Sequence, residues 1–252
     1  MPFVICFRLD VGDGTGFAPN MASLFHGFLH ERLSAGYAAK MHITGLHPFT
    51  QCLLQSGGEW LWRVTALNDE AAHELSDALD GLDMITLSNK ELTIPAHEIT
   101  RGTKSYDELF TENYLRDVKS RYVRLAFVTP TAFRSAGRYV NMPSAPLILS
   151  SLVRKYDAFS ESTEVGSEEL FMQLSRDTEI TAYALRSCAF SLEGVKIPAF
   201  RGSVTVRVSG SQTFVNFVNM LAEFAEFSGC GIKTALGMGG VIHIRNEARS
   251  IE

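Results

Sequence analysis

Residues 211–244 read SQTFVNFVNMLAEFAEFSGCGIKTALGMGGVIHI, and the order of parts in this stretch decides the fold. Apolar side chains at Phe214, Phe217, Val218, Leu221, Phe224 and Ala225 recur at i, i+3 and i+4, which predicts an amphipathic helix over 211–228. Five glycines follow within residues 229–240, around Lys233 and Thr234, and the apolar run 241–244 then reads as a strand. A nucleotide-binding P-loop needs the reverse order, strand, glycine loop, helix, with a glycine directly before its lysine. Here Ile232 holds that place. A helix cap at Gly229 and a tight turn would account for two glycines. Five point to a backbone that comes close to a phosphate, because glycine takes positive φ and carries no side chain to hold the ligand off.

Outward from this stretch, the second half reads as a strand at 122–129, a helical region at 145–159, a long hairpin within 180–208, then the helix and strand already described. Residues 161–177 are charged and less regular, an extra helix or a surface excursion. The first half has the same order. A strand at 4–9 precedes a helix that Asn20 can cap and that runs to about residue 35, with Met21, Leu24, Phe25, Phe28 and Leu29 as its stripe. A hairpin follows, 49–54 and 60–67, through QSGGE; then a helix at 69–79 and short strands at 84–87 and 92–94. Each half is β-α-β-β-α-β, so the expectation is an α+β protein of tandem ferredoxin-like domains, 1–118 and 119–252, facing each other across a cleft. The junction falls near 112–121 without a Pro/Ser linker.

Of 252 residues, 46% are hydrophobic and 20% charged, the composition of a soluble globular protein. A net charge of −5 argues against a general polyanion binder, but the charge is divided. Residues 1–119 hold 9 Lys/Arg against 16 Asp/Glu, and residues 120–252 hold 14 against 12, so −7 faces +2 and any nucleic acid belongs more to the second half. Cys6, Cys52, Cys188 and Cys230 stand singly, which argues for reduced buried thiols rather than zinc or redox chemistry. The apolar run at the N-terminus is too short for a signal peptide, no stretch approaches a membrane span, and a cytoplasmic protein is expected.

Four of the seven histidines fall between positions 26 and 47. His26 and His30 lie off the centre of their helix's apolar stripe, outside the core. Their i, i+4 spacing suits a metal, but Gly27 takes the place of the glutamate in H-E-x-x-H, and no metal is expected. A solvated surface position is the simplest reading of His30. Pro48 holds His47 extended at a strand entrance, where it is either a turn residue or part of a site. Lys40 is a loop lysine or a source of positive charge. Arg134, Arg138 and Arg201 suit a phosphate backbone or a solvated strand face, and Lys233, inside the glycine loop with Gly231, Gly237 and Gly239, is better placed than any of them.

FVTPTAFR (127–134), FRGSVTVRV (200–208) and above all GCGIKTALGMGGV (229–241) resemble the C-terminal signature of the endoribonucleases that process CRISPR repeat transcripts, members of the RAMP superfamily. MHITGLHPFTQCLL (41–54) is similar to their N-terminal catalytic region. The resemblance implies metal-independent, cofactor-free cleavage of a repeat, in which a ribose 2′-OH attacks its own phosphate and leaves a 2′,3′-cyclic phosphate and a 5′-OH. It puts the catalytic histidine at His42, in a loop before the Phe-Thr strand, with His26 and then His47 next, and RNA backbone at Lys233. The partners it implies are CRISPR repeat RNA and an effector ribonucleoprotein; a homodimer is left open. Two other readings stand beside it: a non-catalytic RNA-binding scaffold of such a ribonucleoprotein, and a small-nucleotide-binding regulatory module.

Overall fold

The computed structural model describes residues 1–12, 16–43, 45–87, 90–115, 118–161, 164–192 and 194–245, with the side chains of His42 and Ile43 outside the description. The first half runs β1 (Phe3–Leu9), a 3₁₀ turn at Pro19–Met21, α1 (Ala22–Arg32), α2 (Ala35–Ile43), β2 (Phe49–Ser56), β3 (Glu59–Ala66), α3 (Asp69–Leu79), β4 (Met84–Leu87) and β5 (Leu92–Thr103). Its strands form one antiparallel sheet in the order β2-β3-β1-β5-β4. Without β4, an added edge strand, this is the ferredoxin-like order. Gly57 and Gly58, at φ 58° and 86°, turn β2 into β3.

The chain continues through α4 (Tyr106–Phe110) and a π-helical turn at Thr111–Leu115 into β6 (Tyr122–Thr131). The small hairpin β7 (Phe133–Ser135) and β8 (Arg138–Val140) follows, then α5 (Ala145–Phe159), α6 (Glu168–Asp177), β9 (Thr178–Leu192), β10 (Val195–Val208), α7 (Gln212–Ser228), a 3₁₀ turn at Thr234–Leu236 and β11 (Val241–Ile244). The order β11-β6-β10-β9 repeats the first sheet's plan. Residues 116 and 117 of the expected junction lie outside the described ones. Among the described residues no helix is long and apolar enough to cross a membrane.

Each half buries its own core, one around Phe7, Phe25, Leu29 and Trp62, the other around Phe127, Leu152, Val218 and Phe224. The halves also exchange residues: Ala235 packs in the first core and Leu67 in the second. Burial of a leucine-sized side chain stabilises by about 1.5–3 kcal/mol, so Leu67 in particular ties the halves together.

Three local expectations are corrected. Asn20 does not cap α1; Pro19 opens a 3₁₀ turn there, and Ser23 Oγ donates to Asn20 O at 3.2 Å instead. The first helix does not run on to residue 35. Leu33 is extended (φ −69°, ψ 155°), and Ser34 starts a second helix, its hydroxyl accepting from Tyr37 N–H at 3.3 Å and donating to Glu74 at 2.7 Å. Strand β5 does not stop at 94. Its second part, largely exposed, pairs with β1 and so lacks the apolar alternation that marks a strand in sequence.

Candidate functional site

The C-terminus of α7 is where the two halves are joined. The last carbonyls of a helix have no partner within it and carry its negative dipole end. Here they are met from both sides. Arg63 Nη2 donates to Glu226 O, the hydroxyls of Thr50 and Thr65 to Phe227 O, and Lys155 Nζ to Ser228 O at 2.6 Å and Gly229 O at 3.2 Å. Arg63, Thr50 and Thr65 belong to the first sheet and Lys155 to α5. Lys155 also reaches Thr234 Oγ1 at 3.1 Å. It is 3% exposed, and burial brings its ammonium down from the ordinary lysine value to about 8.

The glycine-rich loop then folds against the first half. A Cβ on Gly237 (φ 105°) would lie 2.1 Å from Ala22 Cβ, and one on Gly239 (φ 70°) 2.1 Å from Cys230 O. The loop's amide groups serve protein acceptors: Gly231 N–H donates to Ser151 Oγ at 2.9 Å, Gly239 N–H to Pro130 O at 3.0 Å and Gly240 N–H to Thr129 Oγ1 at 2.8 Å. In this structure the glycines serve close packing, and the charged side chain that the loop presents is Lys233, held in the left-handed region at φ 55°. A non-glycine residue there costs about 1 kcal/mol or more, met by the bonds on either side of it.

Gln51 sets the loop's height over α1. Its amide, 1% exposed, donates to Ala22 O at 2.8 Å and Ala235 O at 3.0 Å and accepts from Trp62 Nε1 at 3.0 Å. One helical turn beyond Ala22 stands His26.

Between α1 and the loop lies a half-open cleft of about 500 Å³. His26, His30, Gly45, Leu46 and His47 line it from the first half; Arg134, Tyr139 and residues 231–236 line it from the second. The ring of His26 is 6.2 Å from that of His47 and 5.5 Å from that of His30. His26 stacks on Phe49 at 5.9 Å and 15°, and His47 meets the same ring edgewise at 5.6 Å. Phe49 is fully buried at the start of β2, so one core ring seats both histidines. Arg134 and Tyr139 are cross-strand partners on the β7–β8 hairpin and reach the cleft together.

The residues singled out in the sequence therefore divide. His26, His47, Lys233, Gly231 and Arg134 meet at the cleft, and so does His30, which is half-buried rather than a solvated surface residue. His42 stands in the last turn of α2 rather than in a loop, between Met41 and Gly45, both of which line the cleft; its side chain lies outside the described ones. Arg138 is exposed on β8 away from the lining, and Arg201 gives its Nη2 to Val128 O at 2.7 Å. Lys40 pairs with Glu70. His243 belongs to β11, at the edge of the second sheet and outside the cleft lining, and burial takes its imidazole down to about 4, so it is neutral at physiological pH. Among the described residues no group of three or more His, Cys, Asp or Glu is placed to hold a metal.

Gln51 and Lys155 do not stand out in the sequence as site residues, yet each carries a mark there. Gln51 interrupts an apolar strand, and Lys155 stands in the stripe Ile148, Leu152, Lys155, Phe159, where a helix buries its apolar face.

Residues 125–241 match the family model of the CRISPR-associated endoribonuclease Cas6. A CRISPR-associated endoribonuclease Cas6 of Streptococcus thermophilus is 34% identical over 226 residues, covering 89% of this chain and 91% of that protein. One from Mycobacterium tuberculosis (strain CDC 1551 / Oshkosh) is 30% identical, covering 86% and 69%. A Cas6 chain solved as a product complex shares the fold at a TM-score of 0.81, with 23% identity, over 97% of this chain and 100% of that one. Similar to these proteins along nearly its whole length, the chain belongs to the family of CRISPR-associated Cas6 endoribonucleases.

Proposed function

We propose that the cleft cuts one phosphodiester of a CRISPR repeat transcript by attack of the adjoining ribose 2′-OH, leaving a 2′,3′-cyclic phosphate and a 5′-OH. The observation that supports this reading most is the convergence of His26 and His47, 6.2 Å apart, with Lys233 and Arg134 from the other half of the molecule across one cleft. The reaction needs a base for the 2′-OH, an acid for the departing 5′-oxygen and positive charge for the phosphorane-like transition state. Histidine serves the first two roles near neutral pH, and His42, His26 and His47 are the candidates in that order. Lys233 and Arg134 supply the charge. The attacking oxygen belongs to the substrate, so the step calls for no metal-bound water. In this reading residues 1–118 form the domain that brings the histidines, and residues 119–252 the domain that holds the RNA backbone.

Cleavage of the cognate repeat in EDTA tests the reading. It should persist there and stop when the ribose 5′ to the scissile phosphate lacks its 2′-OH, while that deoxy RNA still binds. His42→Ala should slow the single-turnover rate about 10²-fold or more with little change in affinity, and His26→Ala and His47→Ala should also slow it. A protein that binds the repeat and never cuts it is the scaffold instead. A thermal shift with mononucleotides and none with repeat RNA would favour the regulatory module.

A further inference from the structure

The histidine cleft opens sideways into a second recess. Leu46, Arg134, Gly231 and Ile232 line both, and form the sill between them. The recess, about 430 Å³, lies over the first turns of α5, with Leu147, Ser150 and Arg154 on its far side. Its volume is within the ~300–1,000 Å³ of small-molecule sites. The sill is fixed in place: Gly231 N–H is held by Ser151 Oγ at 2.9 Å and Ile232 N–H by Ala132 O at 3.0 Å, and a Cβ on Gly231 would lie 2.3 Å from Ala132 O. Leu46 is 40% exposed on that sill, an apolar side chain held to solvent between the two openings. Lys155, below, is engaged with three oxygens, so the recess draws its outward positive charge from Arg134 and Arg154, both exposed.

We propose that this recess receives the unstacked base of a nucleotide flanking the scissile phosphate. The inference rests on the proposed reaction. Attack by the 2′-OH needs that oxygen, the phosphorus and the departing 5′-oxygen in line, a geometry that a stacked helical nucleotide does not offer. The nucleotide must turn out of its stack, and the base so freed has to be received. Leu46, Leu147 and Ile232 give the flat apolar contact that a base face requires, the Ser150 hydroxyl gives a donor and acceptor for its edge, and the two guanidinium groups suit stacking and the adjoining phosphate. The rigid sill keeps base and phosphate at a constant separation, so seating the base also aligns the bond to be cut.

Full-length protein, the cognate repeat and two abasic repeats, one for each nucleotide flanking the cut, test the assignment. Ser150→Trp fills the recess from a half-buried helical position, and Arg154→Ala removes a rim cation without adding bulk. Binding is read on RNAs that carry a 2′-deoxy at the cleavage site, and cleavage on the all-ribose forms. With intact RNA, Ser150→Trp should weaken binding about tenfold or more, the typical worth of one stacked base. One abasic RNA should weaken the parent protein similarly, and on that RNA Ser150→Trp and Arg154→Ala should cost nothing further. Penalties that multiply for both abasic RNAs overturn the proposal. Coupled binding penalties without cleavage by the parent remove the reaction and leave the base site; cleavage with multiplicative penalties does the reverse.

Discussion

Gln51 Nε2 stands 3.0 Å from Ala235 O and 2.8 Å from Ala22 O, so one buried amide fixes the glycine-rich loop of the second half against the helix that carries His26. Gln51→Leu keeps the volume and removes the bonds, leaving Ala235 O and Trp62 Nε1 without their partner. A buried polar group so abandoned costs about 1–3 kcal/mol. Chemical denaturation should show a drop in stability of about 2 kcal/mol or more, and single-turnover cleavage should slow although no cleft-lining side chain has changed. Parent-like stability would mean that water takes the amide's place.

Gly237 allows the closest approach between loop and helix. Gly237→Ala would set a Cβ 2.1 Å from Ala22 Cβ at a φ of 105°, and overpacking of this kind costs about 1–3 kcal/mol. Ala22→Gly removes the other methyl, so the double variant should recover part of the lowered melting temperature and cleavage rate, the strained φ remaining. Strictly additive effects would place the damage elsewhere than between those two residues.

Lys155 gives a pH signature. Its folded-state value, about 8, lies below the ordinary lysine value of 10.5, so between these pH values the unfolded chain binds more protons and stability rises with pH. Lys155→Met cannot titrate there. The stability of the parent relative to Lys155→Met should therefore grow from about pH 8 upward, by up to about 3 kcal/mol near pH 10.5. Parallel stability curves for the two proteins across that window would contradict this.

Lys233 and Arg134 come to the cleft from a half with a balance of +2 in a chain of net charge −5. Lys233→Ala and Arg134→Ala should each weaken repeat RNA binding. Each should also flatten its salt dependence, by about 0.7 in the log–log slope for every single-strand phosphate that is no longer neutralised. Arg138→Ala, on the same hairpin but outside the cleft lining, should change neither. Equal slopes in all three variants would place the RNA on another face.

The doubled fold is legible in the sequence because its strands and helices carry strong periodicity: the stripe of α7, Phe214 to Ala225, and the glycine pair of the β2–β3 turn stand almost where the sequence puts them. The break at Leu33 is not, since Leu33, Ser34 and Ala35 contain neither proline nor glycine, and the bond from Ser34 to Glu74 spans 40 residues. The latter part of β5 escapes a sequence reading because exposed residues do not alternate. At the cleft, the histidines reveal themselves by their clustering. The amides of the glycine loop are expected to face a ligand, but Thr129, Pro130 and Ser151, far away in the chain, accept their hydrogen bonds. His30 misleads for a related reason: a helical wheel shows which residues avoid their own core and does not show what another part of the chain brings over them.

Synthesis runs from the amino terminus, so the first sheet can form before α7 leaves the ribosome. When that helix does emerge, the hydroxyls of Thr50 and Thr65 and the guanidinium of Arg63 are already waiting for its final turn. The first half is a mould in which the end of the second sets. A separately made second half would turn the carbonyls of Glu226 and Phe227 to water and take Ala235 out of its core, fraying the helix just where the glycine-rich loop begins. The cleft is thus a property of the joined chain, and neither half holds a smaller version of it.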